Sequence, residues 1–451
     1  MAVEFVPIDR DTPYLLPPSV QDYLPEDHLA RFVAEMVDQL DTSALSGVYT
    51  GKGKKPYHPA MLVGLLFYGY ATGTFSSRKL EKASYDSIAV RFLCANTHPD
   101  HDTIASFRKR FLKELEGFFV EILLLGQAMG LVKLGTVSLD GTKIKANASK
   151  HKALSWAYAN KLQAQLQAEV EELLRLAEEA DHSALPEEMD IPEELKRREQ
   201  RLAKIAKAKA EIQARAQARF ECEQADYEEK MARRKAKQER TGKKPGGRLP
   251  KAPSAEPGAK DQVSLTDEDS RIMASHEGFQ QGYNAQAGVD ADSYLIVEQH
   301  ISQQANDKQE VAPALEGLQR LPDTLGQVDA LLADTGYFSE ANVERCEAEH
   351  ITPYIAQGRQ GHNEPLHARF AADPPKPHRP SAVEALVHRF KTRHGKAIYA
   401  RRKFTVETVF GIIKQVLGFR QFLLRGRDAV AGEWSLVCIG WNLKRLHALK
   451  G

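Results

Sequence analysis

From Ser155 to about Glu239 the chain is dominated by Ala, Leu, Glu, Gln, Lys and Arg. Leu202, Ile205, Ile212, Phe220, Tyr227 and Met231 run through it as a sparse apolar stripe, at steps near multiples of about 3.6 residues. A stripe this narrow is too thin for a separate globular core, so the tract predicts a long, coiled-coil-like helical arm. Two prolines in "DHSALPEEMDIP" stop helices and divide the arm into a hairpin. The following "RTGKKPGGRLPKAPSAEPGAKDQ" reads as a flexible link.

Strand-like segments stand on both sides of the arm. Ahead of it lie residues 133 to 147. Behind it, "GYNAQAGVDADSYLIVEQHIS" reads as a hairpin turning at "DADS", with Asp290 and Asp292 as turn residues. Helical "DKQEVAPALEGLQRL" follows, then the apolar strand "VDALLADTGYF" and the Ser-capped helix "SEANVERCEAEH". The short strand "ITPYIA", a basic Pro-rich loop from Arg359 to Arg379 and a helical C-terminal region complete the chain. This order predicts an α/β fold: a mixed sheet with flanking helices, interrupted between its first and second strands by the inserted arm.

Residues 1 to 130 predict an all-helical domain. "HPAMLVGLLFYGYATG" is a strongly apolar helix, too short to span a bilayer. In "HPDHDTIASFRKRFLKELEGFFVEILLLGQAMGL", Asp102 is placed to cap a helix whose apolar stripe is Ile104, Phe107, Phe111 and Leu112. Arg108, Lys109 and Arg110 gather on its other faces, as in a helix-turn-helix-like DNA-binding module. The plain alternative is a helical domain with a solvated basic face.

The net charge of +1 does not mark the whole chain as a nucleic-acid binder, so the signs matter locally. Cys94, Cys222, Cys346 and Cys438 form no CxxC pair. That spacing argues against a zinc knuckle or disulfide framework and fits a reducing cytosol. The first twenty residues lack a secretory signal pattern, and no apolar run is long enough for a membrane span. The expectation is a cytoplasmic protein with no membrane partner.

Two apolar runs end alike: "VSLDG" at Asp140 and "LLADTG" at Asp334. An acid at a strand end beside glycine sits at the rim of a sheet, where α/β folds gather ligand sites. Singly, each reads as a turn-forming Asp. A third acid, Glu407 in "TVETVFGIIKQ", lies beside a packing face of Val406, Val409, Phe410 and Ile413, with Arg401, Arg402, Lys403 and Lys414 around it. Three carboxylates can hold two divalent cations about 4 Å apart for phosphodiester chemistry. Mg²⁺, with Mn²⁺ as substitute, suits hard oxygen ligands. Lys143, Lys145, Arg402 and Lys414 are then phosphate contacts. Asp267, Asp269, Asp290, Asp292 and Asp329 are weaker rivals, Asp269 as an accessory. The histidines have no HxxxH or HxH spacing, and the basic, aromatic-interleaved "HRFKTRHGKAIYARRKF" suits DNA contact.

"SLDGTKIKANAS", "LTDEDSRIM", "GYNAQAGVD", "LLADTGYF" and "VETVFGIIKQVLGFRQFLLRG", together with "HPAMLVGLLFYGYATG" and "DHDTIASFRKRF", resemble in order and extent the DDE-type bacterial insertion-sequence transposases. The resemblance implies an RNase H-like core. Asp140, Asp334 and Glu407 take its acidic positions, and Tyr399, an arginine, Glu407 and Lys414 its tyrosine-arginine-glutamate-lysine signature. The arginine-glutamate gap is one residue longer than usual, so Arg401 or Arg402 fills that role. The division it implies is a helical DNA-binding domain at 1–130 and a catalytic domain split between 131–150 and 262–451 around an insertion and link at 151–261. The function implied is binding of terminal inverted repeats, metal-dependent cleavage at the element ends and strand transfer to target DNA, by a homodimer or higher oligomer. An RNase H-like nuclease without strand transfer, or a catalytically decayed DNA-binding protein, is the alternative.

Overall fold

The structure is a computed structural model describing residues 19–49, 55–149, 152–180, 191–243, 246–275, 278–358 and 372–451. The break of the helical hairpin at 181–190 and the basic loop at 359–371 lie outside the described residues. Two compact units emerge: one up to Lys145 and again from Tyr283 to Gly451, the other Ala146–Gly282.

The first unit starts with helices α1 (Leu29–Asp38), α2 (Ser43–Ser46), α3 (Pro59–Ala71), α4 (Ser77–Asp86), α5 (Ile88–Leu93), α6 (His101–Arg110) and α7 (Leu112–Ala128). Pro59 opens α3 where no N–H is needed, and Leu62, Val63, Leu65, Leu66, Phe67 and Tyr70 are all buried. Among the described residues no helix is long and apolar enough to cross a membrane. The helix cap expected at Asp102 falls instead on Asp100, whose side chain accepts from Thr103 N at 2.7 Å; Asp102 sits in the first turn. Ile104, Phe107 and Phe111 are buried as the periodicity predicts, but Phe111 divides the tract into two helices. Strand β1 (Thr136–Lys145) closes this part.

The second unit holds β2 (Ala153–Ser155), α8 (Trp156–Ala180), α9 (Ile191–Thr241), β3 (Gln262–Ser264) and β4 (Arg271–Ser275). The arm has a small core of its own, contrary to the reading of its stripe. Ala159 and Ala208 take small-residue positions among Leu166, Ile205 and Ile212, and β2 and β3 add Leu154 and Val263. β2 and β3 pair antiparallel, Ser155 opposite Gln262. The end of the link is tied down: Asp261 O accepts from Trp156 N at 2.7 Å, and the Asp261 carboxylate pairs with Arg219 at 2.9 Å. Asp267, buried, and Asp269 belong to this unit. β4 pairs antiparallel with residues 278–282 of the next strand, β5 (Gly278–Asp290).

The rest of β5 returns to the first unit and forms the predicted hairpin with β6 (Ile296–Ser302). Asp290 organises the turn, its Oδ2 accepting from Ser293 N at 2.8 Å and Ser293 Oγ at 2.7 Å. Then come α10 (Val311–Gln319), β7 (Ala330–Ala333), α11 (Glu340–Ala348), β8 (Thr352–Ile355), α12 (Ala382–Lys391), α13 (Arg393–Ala400), α14 (Val406–Gly411) and α15 (Arg427–Lys450). The sheet runs β6-β5-β1-β7-β8, with β1, β7 and β8 parallel, so the fold is the mixed α/β class expected. Its spine is α15, whose buried Trp434, Leu436, Val437, Ile439 and Leu443 belong to a helix packed on α3, α7 and β6. The N-terminal helices and the sheet therefore share one core.

Candidate active site

Parallel pairing of β1 with β7 ends at Ser138 opposite Leu332. Two residues farther along each chain stand Asp140 and Asp334. Asp334 follows the last residue of β7 and caps a short 3-10 turn, its Oδ1 accepting from Gly336 N at 2.7 Å. Asp140 differs from expectation. It is not at a strand end, because β1 continues to Lys145, which bridges to Gln421 and donates to Arg420 O at 3.2 Å. Gly141 allows a close approach rather than a turn. A Cβ there would lie 2.2 Å from Gln286 Nε2, 2.7 Å from Asp307 Oδ1 and 2.8 Å from Asn284 Oδ1.

Glu407 lies in the first turn of α14, which is anchored by buried Val406, Val409 and Phe410. The 3-10 turn before it, Arg401–Phe404, turns Arg402 inward. Its Nη1 is 2.7 Å from Glu407 Oε1 and 3.9 Å from Asp140 Oδ2, and its Nη2 is 3.7 Å from Asp334 Oδ2. The three acids thus converge on one guanidinium. Arg401 pairs instead with Asp292, so of the two candidate arginines Arg402 is the one at the acids. Side-chain exposure rises from 20% at Asp140 to 41% at Asp334 and 50% at Glu407, so the cluster opens to solvent on one side. Burial pushes the Asp140 carboxyl up to about 7; Arg402 and the Gly141 N–H oppose this, while Asp334 and Asp307 add to it.

Lys414 sits in a π-helical turn, Ile412–Val416, a distortion often found at functional sites. Its Nζ donates to Lys143 O at 3.1 Å. Burial lowers its pKa, and the Asp140 charge counters the shift. Lys143 and Lys145 are half-buried along the end of β1. Tyr399 packs edge-on to Phe390, ring centroids 4.9 Å apart, in a cluster with Ala330, Leu332 and Tyr354. Burial raises its hydroxyl pKa against the pull of Arg402.

The N-terminal cations separate. Arg108, expected at a DNA surface, is buried, with Nη1 donating to Tyr70 Oη and Phe75 O, both at 3.1 Å. Tyr70 in turn donates to the buried Glu433 at 3.3 Å. Arg108 is therefore placed as an interior counter-charge, not as a phosphate contact. Lys109 and Arg110 are exposed, Arg110 lying over the Tyr49 and Phe111 rings. Asp329 is exposed at the opposite end of β7 from Asp334.

One acid escaped the sequence reading. Asp307, in the loop after β6, accepts at Oδ1 from Asn284 Nδ2 (2.7 Å) and Gln286 Nε2 (2.8 Å). It follows no apolar run and precedes no glycine. The available signal lay in β5, where Asn284 and Gln286 place two amides on one face of a buried strand that must find partners.

Hard oxygen donors converging on a guanidinium make a focus of negative potential that suits a divalent cation by charge and donor type. Among the described residues, no group of three or more acidic, histidine or cysteine side chains is placed to hold a metal ion as the side chains stand. Compared with known families, residues 18–110 match a model described as a transposase domain (DUF772), and residues 248–443 match a model described as a transposase DDE domain. The second stretch contains Asp334 and Glu407; Asp140 lies between the two. No curated protein and no solved structure gives a significant match.

Proposed function

Because the chain belongs to the DDE transposases of insertion sequences, we propose that it binds the terminal inverted repeats of its element, cuts DNA at the element ends and joins them to target DNA. One observation carries the reading: Asp140, Asp334 and Glu407, from three distant parts of the chain, surround a single cationic group. In this reading the three acids hold two Mg²⁺ ions, for which Mn²⁺ can substitute. When bound, such a pair supplies an activated attacking oxygen and stabilises the leaving oxygen of an in-line phosphodiester displacement.

Arg402, relieved of its carboxylates, turns to the scissile phosphate, and Lys414 sets positive charge beside it. Lys143, Lys145 and Arg401 bind the flanking backbone, and Tyr399 holds the base of the turn carrying Arg402. Lys109 and Arg110 offer exposed cations to the element end. Cutting two ends together requires two active sites, so the working form is a homodimer or higher oligomer on DNA, with the helical arm clamping DNA or joining protomers. The enzyme works in the cytoplasm, at the nucleoid.

The test is cleavage of an element-end duplex by the purified full chain with Mg²⁺. Asp140→Ala, Asp334→Ala and Glu407→Ala are expected to reduce cutting below detection while end binding survives. Cleavage by Asp334→Ala at the normal rate would sink the assignment. Appearance of joined products in a target plasmid separates transposition from simple hydrolysis.

A further inference from the structure

We propose that Asp307 is a fourth carboxylate of the divalent-cation site, sharing it with Asp140, Asp334 and Glu407; this rests on the metal-dependent reading above. The surroundings of Asp307 are built around its charge. Asn284 and Gln286, 1% and 0% exposed, both donate to Oδ1. Gln286 is fixed from its other end, where its Oε1 accepts from Tyr337 Oη, so its amide N–H is committed to the acid. One carboxylate oxygen is thereby occupied, and Oδ2 is left for another partner.

That second oxygen lies beside Gly336, whose N–H donates to the Asp334 carboxylate. The point where a side chain at Gly336 would begin is 2.9 Å from Asp334 Oδ1 and 3.5 Å from Asp307 Oδ2. At Gly141 a Cβ would strike Asp307 Oδ1 and the two amides that hold it. Thus the glycine after Asp140 leaves room for this loop acid, and Gly336 lies in van der Waals range of its second oxygen. The arithmetic of charge agrees. Two divalent ions among three carboxylates leave an excess positive charge, to which Arg402 adds and which a fourth carboxylate reduces.

A purely structural Asp307 makes a different prediction, because Asn retains an acceptor for both amides. The experiment is titration of the full chain, without DNA, with Mn²⁺, free ion being read by electron paramagnetic resonance. Asp307→Asn is expected to weaken Mn²⁺ binding roughly tenfold to a hundredfold, with the metal-free unfolding midpoint unchanged. Asp334→Asn serves as the reference. If it weakens binding while Asp307→Asn matches the unaltered protein, the role of Asp307 is refuted and the site reading stands. If neither changes binding, both fall. Should Asp307→Asn prove unstable, Asp307→Glu decides: retained Mn²⁺ binding supports the role of the charge, and loss as deep as that of Asp334→Asn overturns it.

Discussion

Two basic triplets of nearly the same composition meet opposite fates. Arg108-Lys109-Arg110 ends α6, and Arg401-Arg402-Lys403 forms the turn before α14. In each, chain geometry turns one arginine inward and leaves its neighbours nearer the surface. Arg108 is 6% exposed and serves a sealed acid. Glu433 behind Tyr70 is fully buried, and its other oxygen is taken by Leu423 N and Leu424 N at 2.9 Å each. Arg402 is nearly as enclosed, but two of its three acids reach solvent. A sealed acid makes an arginine part of the architecture. An open acid cluster leaves the arginine and its partners within reach of solvent.

The contrast breaks most readily at Arg108. Arg108→Ala strands a buried polar network around Glu433 and should cost about 3–5 kcal/mol, read as a fall in the chemical unfolding midpoint. A third enclosed cation, the half-buried His300, differs from both arginines because it can lose its charge. Its Nδ1 is 2.8 Å from Glu298 and its Nε2 3.0 Å from Glu310. Burial opposes the charge, yet the Glu298 and Glu310 carboxylates outweigh it and lift the pKa to about 9. Because this lies above the unfolded value of about 6.5, the stabilisation is complete below pH 6.5 and lost as pH rises through 9. Unfolding free energy should decline by up to about 3 kcal/mol across that window, and His300→Gln should remove the decline. Arg402→Ala should cost less, about 1–2 kcal/mol, because solvent takes up part of the exposed charge. Added Mg²⁺ should restore the thermal midpoint of this variant and not that of Arg108→Ala. Arg401→Ala, which removes only the exposed pair with Asp292, should stay within about 0.5 kcal/mol.

The acidic site was legible where the chain marks it locally. The "DG" and "DTG" endings of two apolar runs point to Asp140 and Asp334, and the packing face beside Glu407 points to its helix. The signal picks out two acids that the fold brings to Arg402, but it gives a wrong local picture at Asp140, since a glycine that accommodates a neighbour looks in sequence like a glycine that makes a turn. Asp307 was invisible because its significance comes from Asn284, Gln286 and two glycines that reach it only in the folded sheet. Arg108 was misread for a related reason. Helical periodicity gives the face of α6 that points inward, but only tertiary packing reveals that Tyr70 and Glu433 await a guanidinium there. The arm was legible as helix and not as core, because Leu154 and Val263, which complete its packing, come from strands outside its stripe.

The closure of that arm by β2 and β3 has a consequence for how such a gene can change. Ser155 and Gln262 face each other across one antiparallel rung, so everything between them leaves and returns through a single narrow neck. Such a neck is a natural seam. Whole helical turns can be added or trimmed at its far end, beyond the residues that pack on Leu154 and Val263, without altering the spacing of the two strands at its base.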